Sequence, residues 1–154
     1  MELSLIKIIL VVLPESLLFS YVSLGLIGIK TKVINHFKIT IFFTIFLIIV
    51  RNVLKLYGLH VILGALFLSL VLKVIVRIDW NLALIATLLI YILSFFGEII
   101  VVEILSYWNF EAVDFISGDS LSRFLTFFYL SRVPLIIAAI KIYWEDVNLL
   151  DLRD

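Results

Sequence analysis

Five ionisable side chains stand inside apolar runs of this sequence: Glu15, Arg51, Glu98, Glu103 and Arg132. A charge at the centre of a bilayer costs at least about 2.5 kcal/mol on insertion scales, so a chain that keeps several must compensate them or use them. Carboxylates and guanidiniums in such a setting fit two chemistries. They neutralise one another and fix helix order and register, or they line a polar pocket whose charge balance changes when a ligand or a proton arrives. A protonated, unpaired Glu15 is a third state. Depth selects the partners. Counted from the outer end of each span at about 1.5 Å per residue, Glu15 lies roughly 16 Å deep, Glu98 roughly 14 Å, Arg132 roughly 16 Å, Arg51 roughly 9 Å and Glu103 roughly 6 Å. Glu15 and Glu98 are therefore expected to pair with Arg132, with Arg51 and Glu103 nearer the outer surface.

The neighbours of these residues support an inward orientation. Thr87, Tyr91, Ser94 and Glu98 follow spacings of four, three and four, which makes one polar stripe along a helix that should face the bundle. Arg132 lies in YLSRVPL, two residues ahead of Pro134. Proline cannot donate a backbone hydrogen bond, so the carbonyl of Leu130 is freed and a kink is expected. Pro14 does the same to the carbonyl of Leu10 beside Glu15. Ser16 and Ser20 sit one turn apart and offer a small-residue surface that another helix can approach, which would permit a homodimer.

Other constellations carry less. His60, just after Gly58, reads as a pH-sensitive or ligand-contacting residue at the outer rim, or more plainly as a hydrated interfacial histidine. His36, in KTKVINHFK, reads as a loop residue among lysines that attract anionic lipid. Two separate histidines make no metal site, and no HExxH or GxSxG occurs. Ser16, Ser20 and Ser23 have no evident base partner in the sequence. Glu98 and Glu103, five residues apart, diverge by about 140° around a helix and do not face each other. With no cysteine in the chain, thiolate catalysis and cysteine metal sites are excluded. No catalytic constellation, metal site or cofactor is expected, and the protein does not read as an enzyme.

The elements that must position these side chains follow from composition. A chain of 154 residues that is 64% hydrophobic and 16% charged, with mean hydropathy +1.26, reads as an all-α polytopic membrane protein. Its apolar runs predict five spans, Ser4–Ile29, Ile39–Tyr57, Gly58–Ile78, Asn81–Tyr107 and Leu121–Tyr143, each near the roughly 20 residues that cross a hydrocarbon core. Residues 1–154 read as one transmembrane helical domain ending in a short acidic cytoplasmic tail, 144–154. The second and third spans must meet in a tight, partly polar hairpin in RNVLKLYGLH, or form a short re-entrant pair. The first apolar run is too long for a signal h-region, and Gly25 to Lys30 lacks a small-residue cleavage site, so this segment reads as a span.

Lys30, Lys32, Lys38, Lys73, Arg77, Lys141 and Arg153 gather on one side. The other holds Lys7, Arg51, Lys55, Arg123 and the acidic loop WNFEAVDFISGDS. The positive-inside rule then predicts an outer N-terminus and a cytoplasmic C-terminus. Trp80, Trp108 and Trp144 fall at predicted boundaries, where indoles settle. A formal net charge of zero with dispersed basic residues argues against nucleic-acid binding.

LPESL followed by SLGLIGIK, a YGLH turn after a span that ends in a basic residue, and SFFGEII together resemble the N-terminal multi-span sensor module of bacterial GHKL-type sensor histidine kinases. The resemblance covers most of the first four spans. It implies a bundle of short-looped helices in the cell membrane that receives a signal and passes it to a cytoplasmic partner, although these 154 residues contain no phosphoacceptor segment and no ATP lid. The expected function is a small sensor or regulatory module that binds a ligand or partner in the outer half and signals through helix repacking. A substrate-binding subunit or small transporter with a Glu/Arg midplane site is the alternative, and a structural subunit or assembly factor of a membrane complex is a third.

Overall fold

The computed structural model describes residues 5–56, 58–111 and 120–145. Among them all regular structure is helical. One turn at Leu5–Lys7 leads into a π-helical turn at Ile8–Val12 and then into α1, Leu13–Leu26. Helix α2, Val33–Ile48, passes into a second π-helical turn at Ile49–Val53. Helices α3, Leu59–Val76, and α4, Trp80–Tyr107, follow, then α5, Leu121–Ser131, and α6, Val133–Glu145.

Four stretches are long and apolar enough to cross a membrane: Ile8–Leu26, Val33–Val53, Leu59–Val76 and Trp80–Tyr107. Helices α5 and α6 pass the same test only together, bent by 47°. The expected fifth span is thus two half-helices that meet at Arg132. The expected second span shifts as well. It begins at Val33 rather than Ile39 and leaves regular structure after Val53. Local bonds start it early: the Asn35 amide N–H donates to the Lys32 carbonyl at 2.8 Å, and Asn35 Nδ2 donates to Thr31 Oγ1 at 2.7 Å. His36 and Lys38, expected in a loop, therefore lie on α2. Of the acidic loop, Glu111 is exposed, while Asp114 and Asp119 lie outside the described residues, as does the tail beyond Glu145.

The tight hairpin between α2 and α3 depends on left-handed backbone. Lys55 has φ 53° and Gly58 φ 90°, and only glycine adopts the second without strain. Within the bundle α1 packs against α2, α4 and α6, and α4 packs against α1, α3, α5 and α6. These two helices form the middle of the structure, and Glu15 and Glu98 are on them.

The distribution of polarity is the reverse of a water-soluble domain. Ile92, Phe96 and Ile99 on α4, and Ile62, Leu66 and Leu70 on α3, face outward. Ser16, Ser20, Ser23, Thr40, Thr44, Ser69, Thr87 and Ser94 are buried among the helices. Monomeric soluble proteins rarely expose continuous apolar surfaces of this kind, whereas hydrocarbon tolerates them and disfavours bare hydroxyls. Small residues let helices approach closely. A Cβ on Gly97 would overlap the carbonyl oxygen of Ser131 and sit 3.1 Å from Pro134 Cδ, so α4 touches the α5–α6 junction through backbone. A Cβ on Gly64 would come within 2.6 Å of the Tyr91 hydroxyl.

Candidate functional site

The break in the fifth span creates the site. Pro134 offers no N–H to α5, and the chain turns at Arg132, which has φ −92° and ψ 0°, in the sparsely allowed bridge region. Its backbone N–H is shared between the Phe128 and Tyr129 carbonyls, at 3.2 Å each. The change of axis points the side chain into the bundle, where only 8% of the residue is exposed. Arg132 Nε and Nη2 donate to Glu15 Oε1 at 2.9 and 2.5 Å. Nη1 donates to Glu98 Oε1 at 2.9 Å and makes a long contact with Ser131 Oγ at 3.4 Å. The guanidinium also lies over the Phe128 ring, 5.0 Å from its centroid. One cation is thereby held by two carboxylates from the two central helices. The paired carboxylates are unequal, for the Glu15 side chain is 17% exposed and that of Glu98 36%.

The structure brings Glu15, Arg51, His60, Tyr91, Ser94, Glu98 and Arg132 to the lining of one cavity of about 440 Å³, with Phe19, Phe95 and Phe128 among its apolar walls. Arg51 lies on the π-helical turn that ends the second span. His60 stands in the first turn of α3, and its Nδ1 accepts the Gly58 backbone N–H at 3.1 Å. Ser94 is buried on α4, and the Tyr91 ring meets Phe19 edge-on at 5.4 Å. Glu103 does not join them. It is exposed and away from the cavity lining, because its position turns about 140° away from Glu98 on the same helix.

The two prolines act differently. At Pro134 the helix breaks and bends. At Pro14 the helix continues, widened by the π-helical turn at Ile8–Val12, with the Leu13 N–H reaching back to the Ile8 carbonyl, so a π-bulge stands where the kink was expected. The Leu10 carbonyl, which a residue-14 amide would have met, instead accepts the Tyr129 hydroxyl at 2.6 Å. Tyr129 was not singled out from the sequence, yet it precedes Arg132 by three residues, the spacing that puts two side chains on one helix face. Tyr129 and Arg132 together tie the fifth span to the first at two points.

No family model, curated protein or solved structure matches this chain. The reading of the site therefore stands on its own geometry. The serine face of α1, expected to admit another helix, admits α2 of the same chain. Thr44 Oγ1 donates to Ser16 Oγ at 3.2 Å, and Ser20 Oγ lies 2.8 Å from His36 Nδ1. The expectation that these serines lack a base partner is thus corrected, since the early start of α2 places His36 beside Ser20, with its ring 5.7 Å from Tyr21. Ser20 is fully buried, so no substrate carbonyl reaches its oxygen, and the pair acts as a clamp between α1 and α2. Among the described residues no group of three or more His, Asp or Glu side chains is placed to hold a metal ion.

Proposed function

We propose that the protein is a multi-pass cell-membrane sensor or regulatory module that binds a small ligand in the Glu15–Glu98–Arg132 cavity and responds by repacking its broken fifth span. The single observation that carries this reading is that the cation at the helix break is held by two carboxylates that both line the cavity. A ligand that competes for either carboxylate acts directly on what fixes α5 and α6. Such coupling needs a difference in affinity between two helix arrangements, and displacement of an Arg–Glu bond supplies one.

The orientation proposed here puts the N-terminus and the cavity on the outer side and the C-terminus in the cytoplasm. It is supported by Lys30, Lys32, Lys73, Arg77 and Lys141, which stand near helix ends opposite the cavity. The output would pass through α6 to a cytoplasmic signalling partner, as the resemblance to sensor-kinase modules implies.

Transport is the second reading, favoured by one feature: broken helices with charges near the midplane are common in carriers. Uptake of a labelled solute into proteoliposomes would support it. The sensor reading is tested by hydrogen exchange on the protein in lipid nanodiscs. Glu98→Gln and Glu15→Gln should each speed exchange in residues 121–131 and leave α3 unchanged. Unchanged exchange in 121–131, or a uniform rise throughout, would defeat it.

A further inference from the structure

We infer that the bundle seats one anionic diacyl phospholipid at the end where α1 leads into α2, its acyl chains in two grooves that adjoin along α1 and its phosphate toward Lys32 and Lys141. This site goes beyond the proposed function and is independent of the Glu15–Glu98–Arg132 cavity, with which neither groove shares a lining residue.

The grooves are similar in size and share a wall. Leu18 and Tyr21 of α1 line both. The first, about 500 Å³, is bounded further by Pro14 and Leu17 of α1 and by Val33 and Phe37 in the first turns of α2. The second, about 420 Å³, is bounded by Ile136, Ala139, Ile140, Tyr143 and Trp144 of α6. At about 1.5 Å per residue the α1 wall from Pro14 to Tyr21 is about 10 Å long, and the α6 wall from Ile136 to Trp144 about 12 Å. Each groove is therefore a slot that follows its helices. Both open outward, since Leu17, Val33, Phe37, Ile140 and Trp144 are exposed. An apolar slot left without partner atoms forfeits dispersion contacts, and two adjoining slots of this form suit a lipid with two chains.

Charge selects the kind of lipid. Thr31 and Val33 line the first slot, and the exposed Lys32 stands between them in the chain. On α6, Ile142 sits against Gly25, where an added Cβ would come within 2.6 Å of its side chain, so the last turns of α6 lie level with the end of α1. Lys141 is exposed at that level, between Ile142 and the Ile140 that lines the second slot. A lysine stem can lie along apolar surface and carry its ammonium to the headgroups. Among the described residues no carboxylate lines either slot. Tyr21 supplies a hydroxyl suited to an ester or phosphate oxygen, and Tyr143 and Trp144 are of the type that settles at a membrane boundary. A phosphatidylcholine head brings its own cation, whereas a phosphatidylglycerol head leaves a net negative charge for the lysines. In the proposed orientation this end is cytoplasmic, where the leaflet is anionic. The seated lipid would touch α6, the half-helix through which the proposed output passes.

Fluorescence quenching by brominated lipid tests the assignment. The protein carries Trp80→Phe and Trp108→Phe, so that of its three tryptophans only Trp144 reports, and it is held in phosphatidylcholine vesicles. Each lysine near a membrane surface supplies roughly a fivefold preference for anionic lipid. Brominated phosphatidylglycerol should therefore half-quench Trp144 at a lipid fraction at least about tenfold lower than brominated phosphatidylcholine. Lys32→Gln combined with Lys141→Gln should bring the two lipids level, and Lys32→Arg combined with Lys141→Arg should keep the preference. Ala139→Phe, which fills the second slot and leaves both lysines in place, should abolish it. Equal quenching by the two lipids before these substitutions, or a preference that survives the paired glutamines, would overturn the inference. A preference that survives Ala139→Phe would show attraction of headgroups without seated chains, and shielding of Trp144 from both lipids would show a protein on this face; either result also removes the bound lipid.

Discussion

Gly97→Ala is a one-carbon perturbation aimed at the contact that sets Arg132 against Glu98. The added Cβ would overlap the Ser131 carbonyl oxygen and lie 3.1 Å from both the Ser131 carbonyl carbon and Pro134 Cδ. Backbone and a proline ring cannot swing aside, so α4 and the α5–α6 junction must separate. Overpacking of this kind costs about 1–3 kcal/mol. Separation also stretches the 2.9 Å Arg132–Glu98 bond between residues adjacent to the contact. Beyond about 3.5 Å it ceases to be a hydrogen bond, and a bond to a charged group contributes about 1.5–3 kcal/mol. Alanine's better helix propensity returns about 1 kcal/mol. The net expectation is a loss of about 1.5–5 kcal/mol, read by denaturant unfolding of the protein in bicelles. Gly64→Ala is the control. Its Cβ would meet the Tyr91 hydroxyl at 2.6 Å, but that hydroxyl is the free end of a side chain beside a cavity and can move, so the variant should stay within about 1 kcal/mol of the parent. Equal stabilities for the two variants would refute the argument that backbone contact at Gly97 holds the junction.

Two further substitutions test the ties around the first span. Tyr129→Phe removes the donor to the Leu10 carbonyl and should cost about 0.5–1.5 kcal/mol in the same unfolding assay, with faster exchange in the first two turns of the first span; no change in either would show that the carbonyl is satisfied without it. Ser20→Ala combined with His36→Ala in a double-mutant cycle should reveal a coupling of about 0.6 kcal/mol, typical of hydrogen bonds between membrane helices, whereas additive losses would remove the clamp between α1 and α2.

What the sequence could show was set by what depends on neighbours along the chain. The apolar runs and the matched depths of Glu15, Glu98 and Arg132 are one-dimensional properties, and they led to the helices and to the Arg132 pairing. The spacing of Thr87, Ser94 and Glu98 is helical, so their shared inward face was legible too. The position of Glu103 was half legible: its angle from Glu98 excluded a facing pair, but only the packing of α4 shows that this angle carries it out of the cavity. His36, Tyr129 and Gly97 depend on partners 16, 119 and 34 residues away, and no local pattern announces such contacts. The start of α2 was missed because lysines near a span end read as loop, although their long stems can run along a helix to reach a polar boundary. At Pro14 the expectation of a kink followed from the lost N–H, and the structure meets the same loss by widening the helix.

The account rests on Arg132 being held by the carboxylates of the two central helices, and a double-mutant cycle measures that directly. Arg132→Gln, Glu15→Gln and the double variant, unfolded in bicelles, should give a coupling energy of about 1–3 kcal/mol, with the double variant more stable than the sum of the single losses predicts. Losses that add to within about 0.5 kcal/mol would show two independent residues and contradict the ion-pair centre on which the cavity, the broken span and the proposed response all depend.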